Sequence, residues 1–145
     1  MSAARNQLAK VKRHLVVLEQ GRAGDQAHDT LFSFFENCWH LKDHIKHDSS
    51  VPQRVREAIE QDVTGFDALM ISADIANRSK HLTLNRPARV DAKVTTFHIK
   101  AYEGSDQPAS TSYDITVPGR PPLDALAVAR QAVADWETLF NGYAL

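Results

Sequence analysis

The chain has 145 residues and a mass of 16.2 kDa, which is enough for one hydrophobic core, so a single domain covering residues 1–145 is expected. A composition of 43% hydrophobic and 24% charged residues is typical of a globular protein, and no apolar stretch approaches the roughly 20 residues that a membrane-spanning helix needs. The net charge of -1 provides no overall attraction for nucleic acid, and the N-terminal segment lacks the apolar centre of a secretory signal, so a cytoplasmic location without membrane contact is expected.

Two long helices are predicted at the start of the chain. In the first helix, apolar residues at steps of three and four mark one face, and a turn at Gly21–Gly24 ends it. This face consists of Leu8, Val11, Leu15 and Leu18. The second helix, capped by Asp25, runs to about His47 and carries a broad apolar face. That face consists of Ala27, Leu31, Phe34, Phe35, Cys38, Leu41 and Ile45.

Two shorter helices follow. Ser50 and Gln53 are interpreted as a capping pair that starts the third helix. Gly65 separates it from a fourth helix, which spans residues 66 to about 80. After this point the pattern changes from helix to strand.

The second half of the chain begins with two predicted strands. Residues 94–102 and 113–117 are rich in β-branched and aromatic residues, and a polar loop joins them. They predict an antiparallel hairpin at about residues 93–117, which must lie against the helices because an isolated hairpin is marginally stable.

A final helix has an apolar seam and a stop signal at Asn141–Gly142. The seam consists of Leu126, Ala129, Val133, Trp136 and Phe140. The predicted fold class is therefore α+β, mainly α: a bundle of four to five helices with a β-hairpin inserted before the C-terminal helix.

Polar residues interrupt the apolar face of the fourth helix. At about 100° per residue, Asp74, Asn77 and His81 lie in one stripe with Phe66 and Met70. Because this face turns towards the rest of the bundle, the three polar groups are expected in the interior or in a cleft. Buried polar groups need partners.

Lys42 is a similar interruption, since it lies within the apolar arc of the second helix. We therefore predict that Lys42 and Asp74 form an ion pair where the two helices meet, with Asn77 and His81 completing its hydrogen bonds. In this interpretation the network fixes helix packing and performs no chemistry.

The alternative interpretation is a polar pocket in which His81 acts as an acid or base near neutral pH and Lys42 or Lys80 holds an anion. The candidate catalytic residues are His81, Asn77 and Lys80. The candidate substrate-binding or structural residues are Lys42, Asp43, Asp74 and His40. No metal or cofactor is expected.

Other residue types that often carry chemistry give weaker patterns. His40, His44 and His47 share one stripe of the second helix, and histidines four residues apart can hold a metal. Because this stripe lies opposite the apolar face and lacks the HExxH glutamate, a solvent-exposed histidine face is favoured.

Cys38, the only cysteine, lies on the apolar arc and is interpreted as a packing residue in a reducing compartment. Motifs of hydrolases, nucleotide-binding loops and zinc ribbons are missing.

Two segments carry a resemblance. Residues 37–45, NCWHLKDHI, and residues 73–84, ADIANRSKHLTL, resemble a group of uncharacterised bacterial helical proteins with an HLKDW-like segment followed by an ANxxKH-like segment. The later strand and the DWETLF of the terminal helix also fit this group. His44 stands where the pattern usually has tryptophan, and the resemblance implies no activity.

The helical layout is also similar to that of HEPN domains, small dimeric bundles that often act as metal-independent RNases in toxin and defence systems. Their signature is an arginine followed at short spacing by a histidine. The one match, Arg22 to His28, has Ala23 after the arginine and is interpreted as chance. The resemblance implies RNA or a nucleotide as partner. The residues expected to act on it are His81, Asn77 and Lys80, a choice that comes from their position on the fourth helix and departs from the HEPN pattern.

Two functions therefore remain open. The first is an HEPN-like cytoplasmic protein that acts on RNA or a nucleotide in a toxin or defence setting. The second is a non-catalytic module that associates with itself or a partner and uses the polar cluster for structure. A homodimer is expected from the seam on the final helix.

Overall fold

The computed structural model describes residues 2–21, 26–80, 87–100, 104, 106 and 109–145, with the backbone alone at Ser79 and Lys80. These ranges form five α-helices and a three-stranded antiparallel sheet, which confirms the predicted α+β, mainly α class. The elements are α1 (Ala3–Gln20), α2 (Ala27–His47), α3 (Gln53–Asp62), a 3-10 turn (Val63–Gly65), α4 (Asp67–Lys80), β1 (Lys93–Lys100), β2 (Ser110–Thr116), β3 (Leu123–Asp124) and α5 (Ala125–Tyr143). Within the described ranges, no helix combines the length and the apolar character that crossing a bilayer requires.

Helix α2 lies at the centre of the bundle, where it packs against α1, α3, α4 and α5. It spans the residues that the pattern predicted, and its apolar face forms the middle of the core. Six residues of that face are buried: Leu31, Phe34, Phe35, Cys38, Leu41 and Ile45. Ala27, in the first turn, is partly exposed. The predicted cap, Asp25, lies outside the described residues.

Helix α1 is held at both ends. Ser2 caps its start, and the Asp48 carboxylate, just beyond α2, accepts a hydrogen bond from the Ala4 backbone N–H at 3.0 Å. At its end, Gly21 adopts φ +62°, a left-handed conformation that glycine reaches without strain. The Gly21 carbonyl accepts a hydrogen bond from the Thr111 N–H at 2.7 Å, which joins α1 to the sheet.

The predicted capping pair at the start of α3 is wrong. The Ser50 hydroxyl donates to Asp48 Oδ1 at 2.6 Å, and the Ser50 N–H donates to the same atom at 2.9 Å. The Gln53 amide donates to Glu57 at 2.6 Å, and Pro52 occupies the N-cap position. Ser50 binds Asp48 instead of capping α3, because an aspartate side chain in a turn readily accepts hydrogen bonds from groups two residues ahead.

The predicted hairpin is confirmed. β1 and β2 pair antiparallel, with Phe97 opposite Tyr113 and a bulge between Val94 and Thr96. Ile115 on β2 is fully buried and anchors the sheet to the helical core. The predicted extension of β1 to residue 102 lies outside the described residues.

A third strand, β3, pairs antiparallel with β2 and was not predicted. It has only two residues, which is too short for a periodic pattern. It forms because the turn over PGRPP, in which Gly119 has φ +79°, returns the chain to β2 before α5 begins.

Helix α5 closes the bundle, and its predicted seam lies within the chain's own core. Ala129, Val133, Trp136 and Phe140 are buried, whereas Leu126 is partly exposed. The Trp136 indole N–H donates to the Cys38 carbonyl at 3.0 Å, which fixes α5 on α2. The helix continues past Asn141–Gly142 and ends at Tyr143, so the predicted stop signal falls inside the helix.

Candidate functional site

Lys42 and Asp74, two of the predicted polar residues, lie where α2, α3 and α4 meet the segment that leads into β1. Helices α2 and α4 pack against each other, as the two polar interruptions had suggested. The segment of residues 87–92 lies against the C-terminal half of α4, where it forms hydrogen bonds with Asp74 and Arg78.

Asp74 is 2% exposed, so its carboxylate needs compensating hydrogen bonds. Three backbone N–H groups supply them: those of Arg89 at 2.7 Å, Val90 at 2.9 Å and Ala92 at 3.1 Å. Backbone donors around an ionised carboxylate form strong, charge-assisted hydrogen bonds. Asp74 therefore anchors the segment before β1 to α4.

Lys42 is also buried, with 10% of its side chain exposed. Its ammonium contacts Glu60 of α3 at 2.9 Å and Asp43 at 3.0 Å. Lys46 reaches the same Glu60 oxygen at 2.9 Å, so one carboxylate bridges two lysines of α2. Burial acts to raise the pKa of Glu60, but the hydrogen bonds from Lys46 and Lys42 lower it overall. This cluster joins α2 to α3.

The predicted ion pair between Lys42 and Asp74 is wrong, since no ion pair joins them among the described residues. Both side chains are buried as predicted. Lys42 turns towards α3 and finds Glu60, while Asp74 turns towards the segment before β1. Each group therefore has its own local partners.

Arg78 is a site residue that sequence reasoning missed. Its Nε donates to the Ala92 carbonyl at 3.1 Å, and its guanidinium pairs with Asp91, which has φ +58°. Asp91 is one of the residue types that tolerate this left-handed conformation. Asp74 and Arg78, one turn apart on α4, thus hold the same segment from two sides. No local sequence signal identifies this contact, because it depends on the path of the chain after α4.

Trp39 lies between the two parts of the site. The Lys42 ammonium lies 4.9 Å from its ring centroid, and the Arg89 guanidinium carbon lies 5.6 Å from it. Both distances fall within the range of cation–π attraction. Trp39 is half-buried and Arg89 is exposed, so a cation and part of an aromatic ring are open to solvent here.

The structure describes the three candidate catalytic residues to different extents. Asn77 is half-buried on α4, one turn after Asp74. His81 lies outside the described residues, and Lys80 ends α4 with only its backbone described. The predicted convergence of Asn77, Lys80 and His81 therefore stays a prediction. Asp43 and His40, the remaining candidates, are half-buried on α2.

Cys38, His44 and His47 are further residues of α2 with chemically active side chains. Burial raises the pKa of the Cys38 thiol to about 12, so it stays protonated and is a poor nucleophile at neutral pH. His44 and His47 are exposed on α2. In the described part of the chain, no three histidine, cysteine or acidic residues are grouped as a metal site would require.

The contacts of this site thus connect secondary-structure elements: Glu60 with Lys42 joins α3 to α2, and Asp74 joins the segment before β1 to α4. Comparisons with protein-family models, with curated proteins and with solved structures found no match for this chain.

Proposed function

We propose that this chain is a non-catalytic, self-associating module whose polar cluster positions its elements and whose edge strand β1 forms the contact between two copies. The observation that carries the proposal is the exposure of two large apolar side chains on that strand. Phe97 and Ile99 are each 61% exposed. Exposed apolar residues on a strand edge are typical of a surface that another chain covers.

β1 lies at one edge of the sheet, because the strand order is β1-β2-β3. Among the described residues, β2 is its sole strand partner, so its other edge presents backbone groups that can pair with a further strand. A second copy of β1 can add there in antiparallel orientation, which gives a six-stranded sheet with a two-fold axis.

The sequence of β1 is compatible with pairing to itself. In an antiparallel pair centred on Phe97, Lys100 lies opposite Val94 of the second copy, and Ile99 lies opposite Thr95. In a pair centred on His98, Phe97 lies opposite Ile99 of the second copy. Neither register places one lysine directly opposite another, so like-charge repulsion across the pair is avoided.

The seam on α5 does not serve this purpose, although it was the predicted basis of a homodimer. Four of its five residues are buried in the chain's own core, so they are not available to a second copy. The proposed homodimer therefore rests on β1 alone.

Sedimentation equilibrium over a range of protein concentrations tests this proposal. We expect a mass of twice 16.2 kDa at high concentration for the wild type and for Val16→Lys, because Val16 is an exposed apolar residue on α1. Ile99→Lys should remain a monomer, since the second copy would meet a charge on the paired face. A wild-type mass of 16.2 kDa at every concentration, or equal weakening by both variants, contradicts the proposal.

A second candidate function is the HEPN-like one, action on RNA or a nucleotide in a toxin or defence setting. The exposed Arg89 beside the Trp39 ring favours it, because a cation and an aromatic surface together suit a phosphate and a base. In this candidate function, His81 transfers the proton, Asn77 orients its ring and Lys80 contacts a phosphate.

This second function is tested with His81→Gln and Arg89→Ala. Both are compared with the wild type for melting temperature, for cleavage of mixed RNA without added metal, and for nucleotide binding. Loss of cleavage in a His81→Gln variant with an unchanged melting temperature supports it. If the wild type neither cleaves RNA nor binds nucleotides, the second function is excluded and the module remains.

A further inference from the structure

A cavity with a volume of about 540 Å³ lies on the side of the bundle where the sheet meets the helix ends. Its walls come from the C-terminal end of α1, the first turn of α2, the middle of β2 and the start of α5. We name it the helix-end cavity. Its described lining shares no residue with the polar site on α2, α3 and α4.

The walls of the helix-end cavity are mainly apolar and include several hydrogen-bonding side chains. The apolar lining includes Val17, Leu18, Leu31, Tyr113 and Leu126. The polar lining includes Gln20, Gln26, Thr30, Thr111 and Ser112. Small-molecule sites in proteins have this composition, and their volumes are about 300 to 1,000 Å³.

The charges of the described wall favour some classes of ligand over others. Among the described residues that line it, Asp124 is the one acidic residue and none is a lysine or arginine. The Asp124 carboxylate accepts a hydrogen bond from the Ala127 N–H at 3.0 Å, so its charge already compensates the N-terminal end of α5. An anion would meet this carboxylate without a neutralising side chain in the described wall.

Tyr113 lines the wall and carries a hydroxyl group. Burial raises the pKa of its phenol, so the hydroxyl remains protonated at neutral pH. The tyrosine ring lies on β2 next to His28, at a centroid distance of 6.2 Å, and His28 also contacts Phe32 at 4.4 Å. These ring contacts connect the β2 part of the wall to α2.

We infer that the helix-end cavity binds an uncharged, mainly apolar small molecule with one hydrogen-bonding group. The apolar body contacts Leu18, Leu31 and Leu126, while the polar group bonds to a threonine, serine or glutamine side chain of the lining. This inference does not depend on the proposed self-association, because it uses a different surface from the free edge of β1.

Three probes of equal chain length separate the ligand classes: octanol, octanoate and octylamine. Their binding is followed by two-dimensional NMR at a protein concentration where sedimentation finds a single species. We expect saturable shifts with octanol at residues that line the cavity, including Tyr113 and Leu126, and weaker binding of octanoate and octylamine. Octanoate or octylamine binding as tightly as octanol, no saturable octanol binding, or shifts confined to other surfaces would each overturn the inference.

A matched pair of variants tests the location. Ala27→Trp places an indole in the cavity wall, whereas Ala134→Trp adds the same group at an exposed position of α5 that does not line the cavity. We expect octanol to bind Ala27→Trp about tenfold more weakly than the wild type, and Ala134→Trp with unchanged affinity. Equal affinities for all three folded proteins contradict the assignment. If Ala27→Trp does not fold, the octanol-induced NMR shifts of the wild type test the location. Shifts at residues that line the cavity support the assignment, and shifts confined to other surfaces contradict it.

Discussion

Single residues connect the elements of this protein, and Asp74 is the most informative example. Its carboxylate accepts three backbone hydrogen bonds, from Arg89, Val90 and Ala92, in a position that is almost inaccessible to water. If the carboxylate is removed, these donors lose their partner and the segment before β1 loses its contact with α4. Such a loss leaves buried donors unsatisfied, which is more costly than the loss of a surface contact.

Asp74→Ala should therefore destabilise the fold by about 3 kcal/mol, since several charge-assisted hydrogen bonds are lost at once. The free energy of unfolding is measured by urea denaturation. Glu57→Ala, a change to an exposed carboxylate on α3, is the control and should cost less than about 1 kcal/mol. An Asp74→Ala effect no larger than that of Glu57→Ala would contradict the assigned role.

The charge on Lys42 has a different role from that of Asp74, and a pair of double-mutant cycles separates them. Lys42→Met with Glu60→Gln should show a coupling energy of about 1 kcal/mol, because the two groups are in contact. Lys42→Met with Asp74→Asn should be additive to within about 0.5 kcal/mol. A coupling energy in the second cycle as large as in the first would support the Lys42–Asp74 ion pair and contradict the separate contacts of the two residues.

The burial of these two residues could be predicted from sequence, but their partners could not. Lys42 and Asp74 interrupt apolar stripes, and helical periodicity alone indicates that such residues face the bundle. The partners Glu60 and Arg89 lie on other elements, and their positions depend on how α3 and the segment before β1 are oriented. Helical periodicity contains no information on that orientation.

Individual elements are joined to one another by residues in the turns. Asp48, at the end of α2, accepts hydrogen bonds from the Ser50 hydroxyl and from the Ala4 N–H at the start of α1. These hydrogen bonds outweigh the opposing effect of burial and lower the pKa of Asp48 to about 2. One carboxylate thus stabilises the start of α1 and the turn before α3.

This shift predicts a pH dependence of stability. Because the folded-state pKa of Asp48 lies below its ordinary value of 3.8, its contribution is present above about pH 4 and is lost as the pH falls towards about 2. The difference in the free energy of unfolding between wild type and Asp48→Asn should therefore shrink over that interval. Urea denaturation of both proteins at a series of pH values from about 2 to about 5 measures it, and a constant difference would contradict the role of Asp48.

Long elements were predictable, and short ones were not. Helix α2 has many turns over which apolar residues repeat, so its existence and its end at about His47 follow from the pattern. β3 has two residues and exists because a turn returns the chain to β2, which leaves no periodic signal. The end of α5 was misjudged because it depends on packing with distant parts of the chain. Tyr143, the last residue of the helix, packs against the core, and its hydroxyl donates a hydrogen bond to the Asp62 carboxylate of α3.

At the scale of the whole molecule, strand β1 presents large apolar side chains outside the core, as α1 does at Val16 and Val17. Four of the five seam residues of α5 are buried in the core, whereas Phe97 and Ile99 are exposed on the edge strand β1. A small domain gains stability when a second copy covers such a surface, because apolar area is removed from water. The same edge supplies backbone groups that can pair with a further strand, so hydrogen bonding and apolar burial favour the same contact.

Amide hydrogen exchange of β1 in dilute and in concentrated protein tests this contact most directly. We predict that protection over residues 93–100 increases with concentration, together with a rise in mass above 16.2 kDa, while α3 exchanges at the same rate in both samples. If the mass rises but β1 exchanges equally in both samples, the two copies meet through another surface, and the account of self-association through β1 is contradicted.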